Sequence, residues 1–172
     1  MYRIFAIIRS TSAGHGRSRD RGVPNFDKTP SGCTIGGTSF QFPDPDPFKL
    51  EIGKVVGWNR MGGTLAHPLH VHINPYQIQS LPQLLPNTTW AGGYFEAGDY
   101  HDTLLIPQMT SKVQLRFQPG PYSGYAVTHC HFLNHEDGGC MRVIQFVCPA
   151  GEDGEDMGTC KASMPNPGTV RL

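Results

Sequence analysis

Six of the eight histidines fall in two short segments, His67-Pro68-Leu69-His70-Val71-His72 and His129-Cys130-His131-Phe132-Leu133-Asn134-His135. A lone histidine is ordinarily a surface residue or a satisfied core residue. Two His-x-His pairs, with a cysteine held between two histidines, do not fit that description. Imidazole and thiolate together suit copper or zinc, and a structural zinc site is the plainer alternative to a redox metal. Strand geometry sharpens the choice, because side chains two apart share a face and those an odd number apart oppose. If Leu69 to Ile73 is extended, His70 and His72 point one way, and His67 the other if the strand reaches back that far. If the second segment is extended too, His129 and His131 share a face while Cys130 points to its opposite. Two metal sites then stand back to back. One gathers His67, Cys130 and His135, a His₂Cys set of the kind that makes a blue-copper electron-transfer centre. The other gathers His70, His72, His129 and His131. The tripeptide His129-Cys130-His131 joins the two covalently, so an electron accepted at one site could cross to the other.

Short strands must position these residues. The chain carries 21 glycines and 15 prolines in 172 residues, which punctuates it too often for long helices and favours strands joined by turns. Phe48-Lys49-Leu50-Glu51-Ile52 alternates apolar with polar, and Val55-Val56-Gly57-Trp58 follows a glycine turn. Further strand candidates run over residues 69–73, 103–106, 113–117, 125–129 and 141–147. Their regular spacing predicts an all-β fold, a Greek-key sandwich or barrel. Residues 1–42 are rich in Arg, Ser, Gly and Thr without a period, and read as an irregular tail or linker. Pro43-Asp44-Pro45-Asp46-Pro47 is a stiff connector that opens a domain over 43–149. Residues 150–172 return to Gly, Pro and acid and read as a second flexible tail.

Bulk properties narrow the class. Fourteen basic residues balance fourteen acidic ones, so nothing in the charge points to nucleic acid or an anionic membrane. No apolar run approaches the ~18 residues of a spanning helix. The apolar patch from Ile4 to Ile8 is short for a secretory leader, which needs ~7–15 such residues. Of the five cysteines, Cys130 is flanked by histidines and is unlike half of a disulfide. Cys148 and Cys160 flank a Gly- and acid-rich loop and could pair with each other, or Cys33 could take one of them. Any such bridge implies an oxidising compartment.

At the two histidine segments the sequence resembles the last domain of multicopper oxidases, the group of laccases, bilirubin oxidases and ferroxidases. Both motifs match in spacing: His67-Pro-x-His70-x-His72 and His129-Cys130-His131-x-x-x-His135. Gly98-Asp99-Tyr100-His101-Asp102-Thr103 is similar to a family segment reading Asp-Trp-Arg-Asp-Thr. Val113-Gln114-Leu115-Arg116-Phe117, followed by Pro119-Gly120-Pro121-Tyr122, is similar to the strand and turn that lead into the cysteine motif. The resemblance covers residues 48–148. It implies a cupredoxin fold, copper, and one-electron oxidation of a phenol or metal ion coupled to reduction of oxygen to water. It assigns His67, Cys130 and His135 to type 1 copper, His70 to type 2 copper, and His72, His129 and His131 to the type 3 pair. Glu136, in His135-Glu136-Asp137, takes the place of a glutamate that relays protons toward the trinuclear cluster, work that a positioned carboxylate suits. Extracytoplasmic location is also implied. Asp102 and Arg116 are expected to make structural contacts, and His15 and His101 no metal contacts.

Two positions depart from the family. Members carry Met, Leu or Phe at the axial position five residues beyond the last histidine of the motif, where this chain has Cys140 beside Met141. Cys140 could coordinate strongly or stay neutral like an apolar residue, and a buried thiol resists ionising. The family also completes its cluster with four histidines from an N-terminal domain, and this sequence holds no His-x-His pairs beyond its two. The expectation is a fragment, with a subunit completed by another chain or a copper-binding relic as the other options. The missing ligands would come from an N-terminal cupredoxin domain or a second subunit, and the chain alone would be inactive. The competing function is a non-catalytic copper-binding or electron-transfer cupredoxin, which leaves four histidines without work. A cupin is discounted, because Asn74 to Gln77 lack the glutamate a cupin needs.

Overall fold

The computed structural model describes residues 26–29, 32–60, 65–82, 93–107, 112–149 and 160. Two sheets pack face to face as a cupredoxin-like β-sandwich. One holds five strands in the order β3 (Phe48–Glu51), β11 (Met141–Val147), β10 (Gly124–Cys130), β5 (His67–Val71) and β8 (Thr103–Ile106). The other holds β4 (Val56–Arg60), β9 (Val113–Phe117), β6 (Tyr76–Ser80) and the two-residue β7 (Tyr100–His101). Pairing is antiparallel throughout except between β11 and β3.

Alternation puts one side chain of each pair into the core. Leu50, Leu69, Leu104 and Ile144 come from the first sheet, and Trp58, Ile78, Leu115 and Phe117 from the second; all are buried. The Trp58 and Phe117 rings stack at 4.9 Å, and Phe117 meets Phe146 of the facing sheet at 6.0 Å. Such aromatic contacts add to the burial that drives sheet packing. Tyr76 donates its hydroxyl to the Leu69 carbonyl across the sandwich at 3.2 Å.

The expected tail over residues 1–42 is corrected from residue 26 onward; the residues before it lie outside those described. β1 (Phe26–Thr29) and β2 (Gly32–Ile35) form an antiparallel hairpin, and Phe26 faces Ile35 across it. Both are buried, and this burial holds a segment that lacks any long periodic pattern. The proline connector is also docked rather than free: Arg142 Nε stands 3.1 Å from the Asp44 carboxylate, and its Nη2 donates to the Asp46 carbonyl at 2.7 Å. Of the expected tail over 150–172 only Cys160 is described, bonded to Cys148.

Candidate metal centre

β5 is where the site begins. His67, Leu69 and Val71 turn to the buried side of their sheet, and His70 turns to the other. Register then sorts the second motif, since His129 sits opposite His70 and Cys130 opposite Leu69. Cys130 therefore shares the inner side with His67, while His129 shares the outer side with His70. His131 donates its N–H to the Pro68 carbonyl at 2.8 Å, which fixes the end of the pairing.

The second motif is not extended to its end. A helical turn, α1 (Leu133–Asp137), folds His135 back over Cys130. The turn is closed by the Cys140 N–H on the His135 carbonyl at 2.9 Å and the Cys130 N–H on the Cys140 carbonyl at 3.0 Å. On the inner side, Cys130 Sγ lies 3.4 Å from His67 Nδ1 and 3.5 Å from His135 Nδ1. Donors bound at about 2.0–2.3 Å to one ion at tetrahedral angles stand roughly 3.5 Å apart, so this trio fits a single metal ion. Burial pushes the His67 imidazolium down to about 4, helped by His135 close by, and raises the Cys130 thiol. The first shift keeps His67 a neutral ligand. The second means that the thiolate forms with the metal rather than ahead of it.

On the outer side, the ligand nitrogens of His70, His72 and His129 lie within 4.8 Å of one another. His131 flanks them, with ring centroids 5.3 Å from His70 and 5.5 Å from His129. His70 Nδ1 lies 3.0 Å from the Asp102 carbonyl and 2.8 Å from Thr103 Oγ1. The Thr103 hydroxyl itself donates to Asp102 at 3.1 Å, so it accepts from His70 and leaves Nε2 bare for a metal. His129 Nδ1 likewise faces the Cys130 carbonyl at 3.1 Å and Glu136 Oε2 at 3.3 Å, and its Nε2 looks toward His72 Nε2 at 3.3 Å. Burial lowers the affinity of both His72 and His129 for protons, which again favours the ligating form.

The expected residues therefore gather in two groups, with two changes. Cys140 is not a free thiol: it is bonded to Cys33, a partner that spacing alone does not reveal because the two are 107 residues apart. Cys33 is thus no partner for Cys148 or Cys160, which pair with each other. Phe26 is also new to the site, its ring stacked on His67 at 4.6 Å. His101 stays away from both groups, packed on Tyr94 and Phe95, and Asp102 acts through His70. Arg116 is an exposed residue of β9, and His15 lies outside the described residues.

Known proteins resemble this chain in sequence and in fold. A laccase from Bacillus stratosphericus is 31% identical over 120 residues, covering 60% of this chain and 22% of that protein. A multicopper oxidase of Staphylococcus haemolyticus is 27% identical over 121 residues, 66% of this chain and 24% of that protein. The chain thus spans about a quarter of the length of the curated relatives it matches. Among solved structures, a multicopper oxidase from Pediococcus acidilactici superposes with a TM-score of 0.63 at 17% identity, over 87% of this chain and 31% of that one. One from Campylobacter jejuni gives 0.55 at 24% identity, over 69% and 24%. These two likenesses speak for the fold. The multicopper oxidase family model matches residues 16–147, most of the chain and both histidine motifs, so the chain belongs to the multicopper oxidase family.

Proposed function

We propose that this chain is the C-terminal copper-binding domain of an oxidase that takes single electrons from a phenol or metal ion and delivers them to oxygen. Copper is the metal that family membership implies. The observation that carries the reading is the pair of groups built on one tripeptide, His67/Cys130/His135 on the inner side and His70/His72/His129/His131 on the outer. In this reading the first group holds type 1 copper; His70 holds type 2 copper, and His72, His129 and His131 the type 3 pair. Copper bound there supplies one-electron redox chemistry on the inner side and the site of oxygen reduction on the outer.

The chain's own residues do the rest. Cys130 is joined through its backbone to His129 and His131, so the inner thiolate and the outer imidazoles share one covalent path. His67 and His135 hold that sulfur from two elements, a strand and a helical turn, which fixes the geometry before metal arrives. Glu136 is partly exposed and touches His129 Nδ1, so its carboxyl can take a proton from water and hold it beside the outer face. A carrier with only the inner centre would give the four outer histidines and Glu136 nothing to do.

The outer group is half of what the family's cluster takes, and an N-terminal cupredoxin domain or a second subunit would supply the rest. A cavity of about 360 Å³ opens beside His72, lined by Phe42, Ile73, Tyr125 and Val127, and Ile73 and Tyr125 are more than half exposed. That apolar, histidine-rimmed surface suits a protein partner. Two disulfides support an extracytoplasmic location, and no helix among the described residues is long and apolar enough to cross a membrane. The test is to load the chain with Cu(II). It should turn blue, and Cys130→Ser should bleach it. Tight copper binding without colour, with Cys130 reduced, overturns the reading.

A further inference from the structure

Two cysteines from distant parts of the chain meet against a residue of the inner metal group. Cys33 lies on β2, Cys140 just ahead of β11, and their bridge sits beside His67. Cys33 Sγ is 3.8 Å from His67 Nδ1, the same nitrogen that lies 3.4 Å from Cys130 Sγ. His67 thus belongs to two three-donor groups at once, His67/Cys130/His135 and Cys33/His67/Cys140, each with its donor atoms within 4.8 Å. The residues of the second group are at most 5% exposed. A mere staple could close its 107-residue loop anywhere; this one lies in contact with a ligand nitrogen. The other bridge, Cys148–Cys160, belongs to no such group among the described residues and serves as an internal control.

While bonded, the two sulfurs carry no charge and are poor donors, so Cys130 alone offers a thiolate. We propose that the Cys33–Cys140 bridge is a redox gate on this centre, and that opening it creates a thiolate-rich site that captures Cu(I). The proposal deepens the copper reading given above and rests on it for the choice of metal. A dithiol reductant supplies two electrons and two protons. The Cys33–Cys140 bond breaks, two S–H bonds form, and the dithiol leaves as its own disulfide. Cu(I) then displaces the thiol protons, because the thiolate is the ligand. Two soft sulfurs, Cys33 and Cys140, beside the His67 imidazole select Cu(I) over Cu(II), so metal held this way is kept from cycling. With the bridge closed, one thiolate and two imidazoles remain, a set suited to both oxidation states. Bridge chemistry thereby switches the shared ligand His67 between a group that captures copper and one that carries electrons.

The experiment uses the full chain. The bridge is opened with a dithiol, the reductant is removed without oxygen, and alkylation with mass spectrometry verifies which thiols are free. Cu(I) affinity is then measured by competition with a chromogenic Cu(I) chelator, with the bridge open and closed. The open form should bind Cu(I) at least about tenfold more tightly. Cys33→Ser and Cys140→Ser should each lose that gain, and the double variant Cys148→Ser/Cys160→Ser should keep it. Should a serine variant misfold, alkylating the opened pair in the wild-type chain must abolish the gain instead. Equal affinities in the two forms, or a bridge that the dithiol cannot open in the folded chain, overturn the gate. The colour of the closed, Cu(II)-loaded chain reports separately on the His67/Cys130/His135 centre, so the two readings fail by different observations.

Discussion

Cys140 shows how much one residue's surroundings decide. A free thiol at the axial position would be a strong ligand once ionised, but as half of a bridge it is a neutral neighbour of His67. The double variant Cys33→Ala/Cys140→Leu, which leaves no freed thiol beside His67, should therefore keep the blue absorption of the Cu(II)-loaded chain, with only a modest change in reduction potential; loss of the colour would mean that the bridge sulfurs act on the metal directly. Glu136 acts on its neighbour by charge. Burial lowers the proton affinity of His129, while the Glu136 carboxylate 3.3 Å away raises it in part. Glu136→Gln removes that negative charge, so the His129 ring proton, followed by NMR in the metal-free chain, should titrate at lower pH than in the parent. A titration that does not move would detach Glu136 from the outer face.

At the scale of elements, what the sequence made legible was periodic. Phe48-Lys49-Leu50-Glu51 and Val113-Gln114-Leu115-Arg116-Phe117 alternate cleanly and became β3 and β9. The parity of His67, His70, Cys130 and His129 anticipated the two opposed groups, because a strand gives its side chains no third direction. β6 carried the same signal in Tyr76-Gln77-Ile78-Gln79 but lies behind Asn74-Pro75, a pair that reads as turn. Hairpin β1–β2 was illegible for another reason: each strand has four residues, held by packing against His67 and the core and by the Cys33–Cys140 bridge rather than by any periodic pattern. Phe26→Ala should lower stability by about 3 kcal/mol, the usual result of emptying a buried aromatic site, read by denaturant unfolding. His67 also makes stability depend on pH. Its folded-state value near 4 lies below the ordinary 6.5, so the unfolded chain binds the extra proton between those values. The metal-free protein should lose stability as the pH falls from about 6.5 through 4, with His72 and His129 shifted in the same direction.

For the whole molecule, four outer histidines shared among three ions would leave each one short of ligands and open to water. A size-separated monomer should hold about one copper tightly at the His67/Cys130/His135 group, release any further copper to a chelator, and consume no oxygen with a phenol. Metal analysis and an oxygen electrode check this, and three tightly held coppers with oxygen uptake would contradict it. Two copies meeting outer face to outer face would assemble eight histidines, so a homodimer is the arrangement in which this chain alone could turn over. The hairpin has a last consequence, for how such a domain can be cut and recombined. A splice placed at Pro43, where the composition changes, would leave behind Phe26, the cover of His67, and Cys33, the partner of Cys140. It would transplant a sandwich with its inner centre uncovered and an unpaired thiol beside the metal. A splice ahead of Phe26 would keep both the ring that covers His67 and the partner of Cys140 with the sandwich.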